Sequence, residues 1–161
     1  MLLTSIIRKR RLEMVLPELK KDWKIIDIGC GDGWLVKELT KKGFDCIGID
    51  KVFTNQDICD DEFKDNQFDC SLLIETIEHI PSECISEIER ITKKKIIVST
   101  ITPFFNKIDD FGVFLKLYGP KYTCHLKCYY LEDIPFSNFR LKKSIRYFLV
   151  DQFGVYERVK N

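Results

Sequence analysis

Residues 25–34 read IIDIGCGDGW, an apolar run that breaks into Gly29, Gly31 and Gly33 with Cys30 and Asp32 between them. Glycines at alternating positions remove side chains where a turn must bring its backbone against a ligand. If a helix follows, its first N–H groups face the same ligand and favour negative or polar atoms. Asp50 closes the next apolar stretch, CIGID. It stands at the ~20-residue distance from the glycine turn where an acid meets the hydroxyls of a ribose. The chain has two histidines, His79 and His125. An imidazole titrates near neutrality, so each is a candidate base or substrate contact. Glu75 and Glu78 precede His79; one is expected to orient the site and the other to be a surface acid.

The glycine turn does not match either common phosphate-binding pattern. A dinucleotide fingerprint, G-x-G-x-x-G, would need its third glycine at position 34, which is Trp34. A bulky indole sits badly where strand and helix must pack closely. No G-x-x-x-x-G-K-[ST] loop is present. Metal is not expected either. Cys124, His125 and Cys128 lie close together, but a structural zinc site wants four ligands and no second Cys/His pair stands nearby. The seven cysteines are scattered and include no C-x-x-C pair, which argues against a disulfide framework and for free buried thiols.

The elements that must position these residues follow from periodicity. Ile6, Ile7, Leu12, Val15, Leu16 and Leu19 recur near helical spacing over 5–20. Residues 23–29 form a short buried strand. A helix over 34–43 pairs Leu35 with Leu39, can set Glu38 against Lys42, and stops at Gly43. Strands follow at 44–50 and 68–74. A helix over 81–95 starts at Ser82 and carries Ile85, Ile88 and Ile91 on one side. Another strand occupies 95–100. Nearly continuous apolar strands alternating with helices imply a parallel sheet covered on both faces. Residues 139–160 read as two strands joined near Asp151–Gly154, a hairpin that adds an antiparallel edge. Between them, 104–130 is rich in aromatics. Phe111, Phe114, Leu115 and Tyr118 fit a short helix packed on the sheet, and Tyr118 and Tyr122 are candidates to line a pocket.

Four segments in this order resemble the class I S-adenosylmethionine-dependent methyltransferases, of the small-molecule, type 11-like kind. They are IDIGCGDG, CIGID, FDCSLLIETIEHIP and HLKCYYLEDI. The resemblance implies an α/β, Rossmann-like, doubly wound and mostly parallel sheet with an antiparallel C-terminal hairpin. It implies S-adenosyl-L-methionine as cofactor. Asp27, Gly29, Cys30, Gly31 and Gly33 match the loop that holds the methionine part. Asp50 matches the ribose acid, and Lys51 and Val52 flank the adenine. Asp57 and Ile58 match the adenine edge, and Ile74 and Glu75 the strand end beneath the sulfonium. Methyl transfer is an in-line displacement with a neutral thioether leaving, so the protein's tasks are alignment and exclusion of water. A base is needed only for a hydroxyl or protonated-amine acceptor, and His79, His125 and Glu75 are the candidates.

Composition narrows the partners. A length of 161 residues suggests one domain. The N-terminal helix would span 1–22, a cofactor-binding half 23–100 and a substrate-side half 101–161. The net charge of +1 disfavours a dedicated nucleic-acid binder. Lys107, Lys116, Lys121 and Lys127 interleave with aromatics, so base stacking is a secondary reading. The run Arg8-Lys9-Arg10-Arg11 reads as a solvated helix face. The first residues lack a signal-peptide pattern and no apolar run reaches the ~18 residues of a membrane span, so a cytoplasmic protein is expected. The expected partner is a small-molecule acceptor; a partner subunit that supplies recognition also fits. Two other classes stand beside the enzyme reading: a non-catalytic scaffold of the same fold, and an NAD-dependent oxidoreductase, which Trp34 disfavours.

Overall fold

The computed structural model describes residues 2–60, 62–104, 126–147 and 150–160. Strand β1 (Lys24–Ile28) is followed by helix α2 (Trp34–Lys41) and strand β2 (Asp45–Ile49). Helix α1 (Leu2–Val15) and a 3-10 turn at Leu16–Glu18 precede them. Strand β3 (Phe68–Ile74), helix α3 (Ile85–Ile91) and strand β4 (Thr92–Ile101) come next, then β5 (Phe139–Tyr147) and β6 (Asp151–Arg158). The six strands form one sheet in the order β2-β1-β3-β4-β6-β5. β1 to β4 are mutually parallel, and β6 runs antiparallel between β4 and β5.

The expected α/β sheet with an antiparallel C-terminal hairpin is therefore present. Buried apolar residues line both faces of the sheet. Val15, Trp23, Ile25, Leu35, Leu39, Leu72, Ile97 and Phe153 share one cluster, on the side of α1 and α2. Ile26, Ile28, Leu73, Ile85, Ile88, Val98, Phe139 and Tyr156 share the other, on the side of α3. Residues of opposite parity in β1, in β4 and in β3 beyond its irregularity between Phe68 and Cys70 feed opposite clusters, as the pleat requires.

Several boundaries differ from the sequence reading, each for a local reason. α1 ends at Val15 because Pro17 follows and the chain tightens into the 3-10 turn. Ile6 and Ile7, counted on its apolar face, are exposed; Leu12, Met14 and Val15 do the packing. Glu38 pairs with Lys41 at 2.8 Å instead of Lys42. Lys42 lies past the last helical residue, and Gly43 turns the chain at φ +79°. α3 is only the middle of the expected 81–95 helix. Ser82–Cys84 is a 3-10 turn, and β4 begins at Thr92, so the TKKK residues are strand. Ser82 gives no side-chain cap; its hydroxyl lies 3.3 Å from that of Tyr129. In the C-terminal hairpin, Asp151–Gly154 belongs to β6 and not to the turn, which falls before it. Gln152 to Tyr156 are all buried, because β6 is an interior strand and β5 is the edge.

The cysteine expectation is corrected as well. Cys59 and Cys84 form a disulfide, with Cα atoms 5.3 Å apart. Cys30, Cys46 and Cys70 are free thiols. The pairing was not readable because the two residues lie 25 apart in sequence and are joined only by the fold.

Leu72 is fully buried in β3 at the centre of the sheet. Leu72→Ala should lower unfolding stability by about 3 kcal/mol through lost burial and a residual cavity, measured by urea denaturation.

Candidate functional site

The carboxyl ends of β1, β2 and β3 converge on a cavity of about 540 Å³. Gly29 closes β1, Asp50 closes β2, and Glu75 and Thr76 close β3; all line this cavity. The remaining walls come from Lys51 to Val52, Gln56 to Cys59, and His79 to Pro81, with Leu126. Its size lies in the ordinary range of ligand sites, and its place at the sheet's carboxyl edge is where open α/β sheets bind ligands.

Asp50 organises the cavity's mouth. Its Oδ2 accepts the Gly31 N–H at 3.0 Å, and its Oδ1 accepts those of Val52 and Phe53 at 2.9 and 3.0 Å. The carboxylate thus ties the glycine turn to the loop after β2. A carboxylate has about four acceptor positions, so one on Oδ2 is left for a ligand hydroxyl. The Gly29 and Cys30 N–H groups bond Ile49 O at 2.8 and 3.0 Å, which fixes the turn against β2. Gly29, Gly31 and Gly33 take φ of +71°, +53° and +71°, a region that side chains disfavour. A Cβ on Gly29 would run into the Thr76 side chain, whereas at Gly31 and Gly33 it would enter open space.

Glu75 is held from two sides. Ser99 Oγ donates to its Oε1 at 2.8 Å, and Arg11 Nη2 of α1 pairs with the same oxygen at 3.0 Å. Its own φ is +57°, an uncommon conformation for a side-chain-bearing residue and one that recurs at functional positions. Glu78 is no surface acid. It is 1% exposed, accepts the Thr100 hydroxyl at 2.8 Å, and its backbone carbonyl receives the Leu126 N–H at 2.8 Å. Burial, aided by Glu75, pushes its carboxyl up to about 7. A chain segment at the cavity wall is thereby pinned to the residue before His79. His79 lines the cavity and its N–H bonds Thr76 O at 2.9 Å.

The structure divides the sequence-derived set. Gly29, Asp50, Lys51, Val52, Asp57, Ile58, Glu75 and His79 share the main cavity. Lys51 Nζ and Asp57 Oδ2 pair at 2.8 Å across the loop. Cys30, Gly31 and Gly33 instead line a neighbouring hollow of about 320 Å³, with Phe53 and Thr54. Asp27 and Ile74 line neither. Asp27 is buried within β1, and burial followed by the nearby Asp50 charge pushes its carboxyl up to about 7. His125, Cys124, Lys107, Lys116, Lys121, Leu115 and the aromatic residues Phe111, Phe114, Tyr118 and Tyr122 lie outside the described residues. No cluster of three metal-ligating side chains occurs among the described residues. Sequence reasoning missed Thr76, Ser99 and Arg11. In the sequence Arg11 belongs to a run that reads as a solvated helix face. In fact Arg8 pairs with Asp32 at 2.8 Å, Arg10 lies over the Tyr147 ring, and Arg11 reaches Glu75.

A family model described as a methyltransferase domain matches residues 4–108. The chain belongs to that family. Among curated relatives, a ubiquinone biosynthesis O-methyltransferase of Rickettsia bellii is 28% identical, the match covering 56% of this chain and 50% of that one. The match thus spans about half the length of the curated relatives. Among solved structures, the PH0226 protein of Pyrococcus horikoshii superposes with a TM-score of 0.73 at 18% identity, covering 96% of this chain and 91% of that one. An S-adenosylmethionine-dependent methyltransferase of Thermotoga maritima, described as a possible histamine N-methyltransferase, gives 0.65 at 15% identity, covering 92% and 87%. A 1,6-didemethyltoxoflavin-N1-methyltransferase of Burkholderia thailandensis, solved with S-adenosylhomocysteine, gives 0.59 at 10% identity, covering 86% and 72%. These likenesses establish the fold of the methyltransferase domain. No described helix is long and apolar enough to cross a membrane.

The raised carboxyl of Asp27 makes folding stability depend on pH. A carboxyl whose folded pKa exceeds its unfolded value binds its proton more tightly in the native state. For Asp27 the window runs from the ordinary 3.8 to about 7. Its contribution is fully present below that window and is lost as pH rises through it. Asp27→Asn should therefore flatten part of the fall in unfolding stability between those values, measured by denaturant titration at a series of pH values. Glu78, raised to about 7, supplies a further share that persists in the variant.

Proposed function

We propose that this chain is an S-adenosylmethionine-dependent methyltransferase acting on a small-molecule acceptor. The single observation that supports it most is the meeting of Gly29, Asp50 and Glu75 from three adjacent strand ends around one cavity. The residues fit the cofactor. The glycine turn admits close backbone approach, Asp50 keeps an acceptor for a ribose hydroxyl, and the acids of the site suit a ligand with an ammonium and a sulfonium. When bound, S-adenosylmethionine supplies a methyl group already activated by the positive sulfur.

The chain's own residues have the remaining work. Gly29, Cys30, Gly31 and Gly33 form the turn for the methionine part, with Asp27 two residues before it in β1. Asp50 takes the ribose, and Lys51, Val52, Asp57 and Ile58 the adenine. Ile74 and Glu75 end β3 beneath the reacting centre, where Ser99 and Arg11 hold the Glu75 carboxylate in one place. His79 borders the same cavity and is our candidate to receive a proton from the acceptor, with His125 and Glu75 as the further candidates. We read 1–161 as one domain, with 23–100 holding the cofactor and 101–161 shaping the acceptor side, and the protein as cytoplasmic.

Calorimetric titration with S-adenosylmethionine and S-adenosylhomocysteine should show micromolar binding, and NAD none. Asp50→Ala should weaken both sulfur ligands roughly a hundredfold, the scale of one or two charge-assisted hydrogen bonds. A melting curve on the variant separates lost ligand contacts from a lost fold. Absence of binding to folded wild type would overturn the assignment. His79→Ala should retain cofactor affinity and lose turnover on an acceptor that must release a proton; unchanged turnover would remove His79 from the role of base.

A further inference from the structure

The disulfide occupies an unusual place. Cys59 lines the main cavity, directly after Asp57 and Ile58. Cys84 is buried at the end of the 3-10 turn that follows Ile80 and Pro81, which line the same cavity. The bond therefore joins two of its walls: the loop after β2 and the segment after β3. That loop needs a tether. Among the described residues of 50–67 there is no helix or strand, and every residue from Lys51 to Gln56 is exposed. Past them the chain is drawn inward by Ile58, which packs in the same cluster as Ile80 and Cys84.

We propose that Cys59 and Cys84 are a thiol-modification site that sets the affinity of the cavity for its cofactor, the disulfide form binding more tightly. This rests on the proposed function. Disulfides in cytoplasmic proteins of ordinary organisms are transient or redox-sensing, which matches a bond placed at a binding site. Access is one-sided in a useful way, since Cys59 is exposed and Cys84 is buried. A low-molecular-weight disulfide is the oxidant. The Cys59 thiolate attacks one of its sulfurs, forms a mixed disulfide and releases one thiol. The Cys84 thiolate then attacks the Cys59 sulfur and releases the second. Two protein thiols lose two electrons and two protons, and the oxidant is reduced to two thiols. Cys30, Cys46 and Cys70 are poor competitors: burial pushes Cys30 up to about 11, and Cys46 and Cys70 well above the ordinary thiol range.

Reduction releases the loop that carries Asp57 and Ile58, so the adenine wall loses its fixed position. The expected coupling is about tenfold in affinity, within the usual range for linked sites. Linkage makes it reciprocal. Saturating S-adenosylhomocysteine should shift the midpoint potential of the pair about 30 mV more negative, the equivalent of that tenfold for two electrons.

The test uses the wild-type chain, oxidised with a small disulfide or reduced with dithiothreitol, its state verified by thiol counting and its fold by circular dichroism. Calorimetry with S-adenosylhomocysteine should give about tenfold tighter binding to the oxidised form. Cys59→Ser/Cys84→Ser should bind like the reduced form and ignore both reagents. Equal affinity in the two states, tighter binding when reduced, or failure of the pair to oxidise overturns the switch and leaves the methyltransferase assignment intact. No binding in either state overturns both.

Discussion

Asp50 carries more of this structure than its size suggests. Its carboxylate bridges the glycine turn after β1 and the loop after β2, accepting three backbone N–H groups from the two. Neither segment has regular structure to hold it. Backbone donors near a site must be satisfied by something, and here one side chain satisfies them where a helix or strand would elsewhere. The glycine turn is also bound to Ile49 O, the residue just before Asp50. The end of β2 is thus the reference point from which the cavity's mouth is laid out. A ligand that approaches Asp50 meets a group whose position is already determined, so little ordering is left for binding to supply.

The helix that opens the chain is attached by a different principle. Among its described side chains, Leu12, Met14 and Val15 near its C-terminal end pack on the sheet, while Ile6 and Ile7 are exposed. Arg8, Arg10 and Arg11 make further attachments, to Asp32 beside the glycine turn, to the Tyr147 ring on β5, and to Glu75 at the end of β3. These contacts reach three separate parts of the site's surroundings. Charge-assisted contacts at half-exposed positions are individually modest. Their value here is geometric, because each fixes a different direction of the helix relative to the sheet.

The fold was largely legible in the sequence, and the reason is physical. Continuous apolar strands such as FDCSLLI permit few environments other than a sheet buried on both faces. The glycine turn and Asp50 were legible because their backbone demands are local. What could not be read was whatever depends on distant partners. The Cys59–Cys84 bond, the Arg11–Glu75 pair and the burial of Glu78 all join residues from separate elements. The end of α3 at Ile91 was also hidden, since TKKK carries good helix formers and only its pairing with β3 and β6 makes it strand. The site reading divided along the same line. Residues at strand ends converge as expected, while Cys30, Gly31 and Gly33 face a separate hollow because the loop after β2 folds between.

Among the described residues the sheet ends in β5 on one side and β2 on the other. An open strand edge is a template on which another copy of the chain can stack. β5 carries Arg140, Lys142, Lys143 and Arg146, and its pairing with β6 is interrupted between Leu141 and Lys143. Like charges brought together by two such edges repel, and an irregular ladder cannot be matched residue for residue. β2 is only five residues long and begins at an exposed Asp45. The placement of these basic residues along the outermost described strand thus works against edge-to-edge stacking of one copy on another, a consequence that lies away from the cavity and is independent of any ligand.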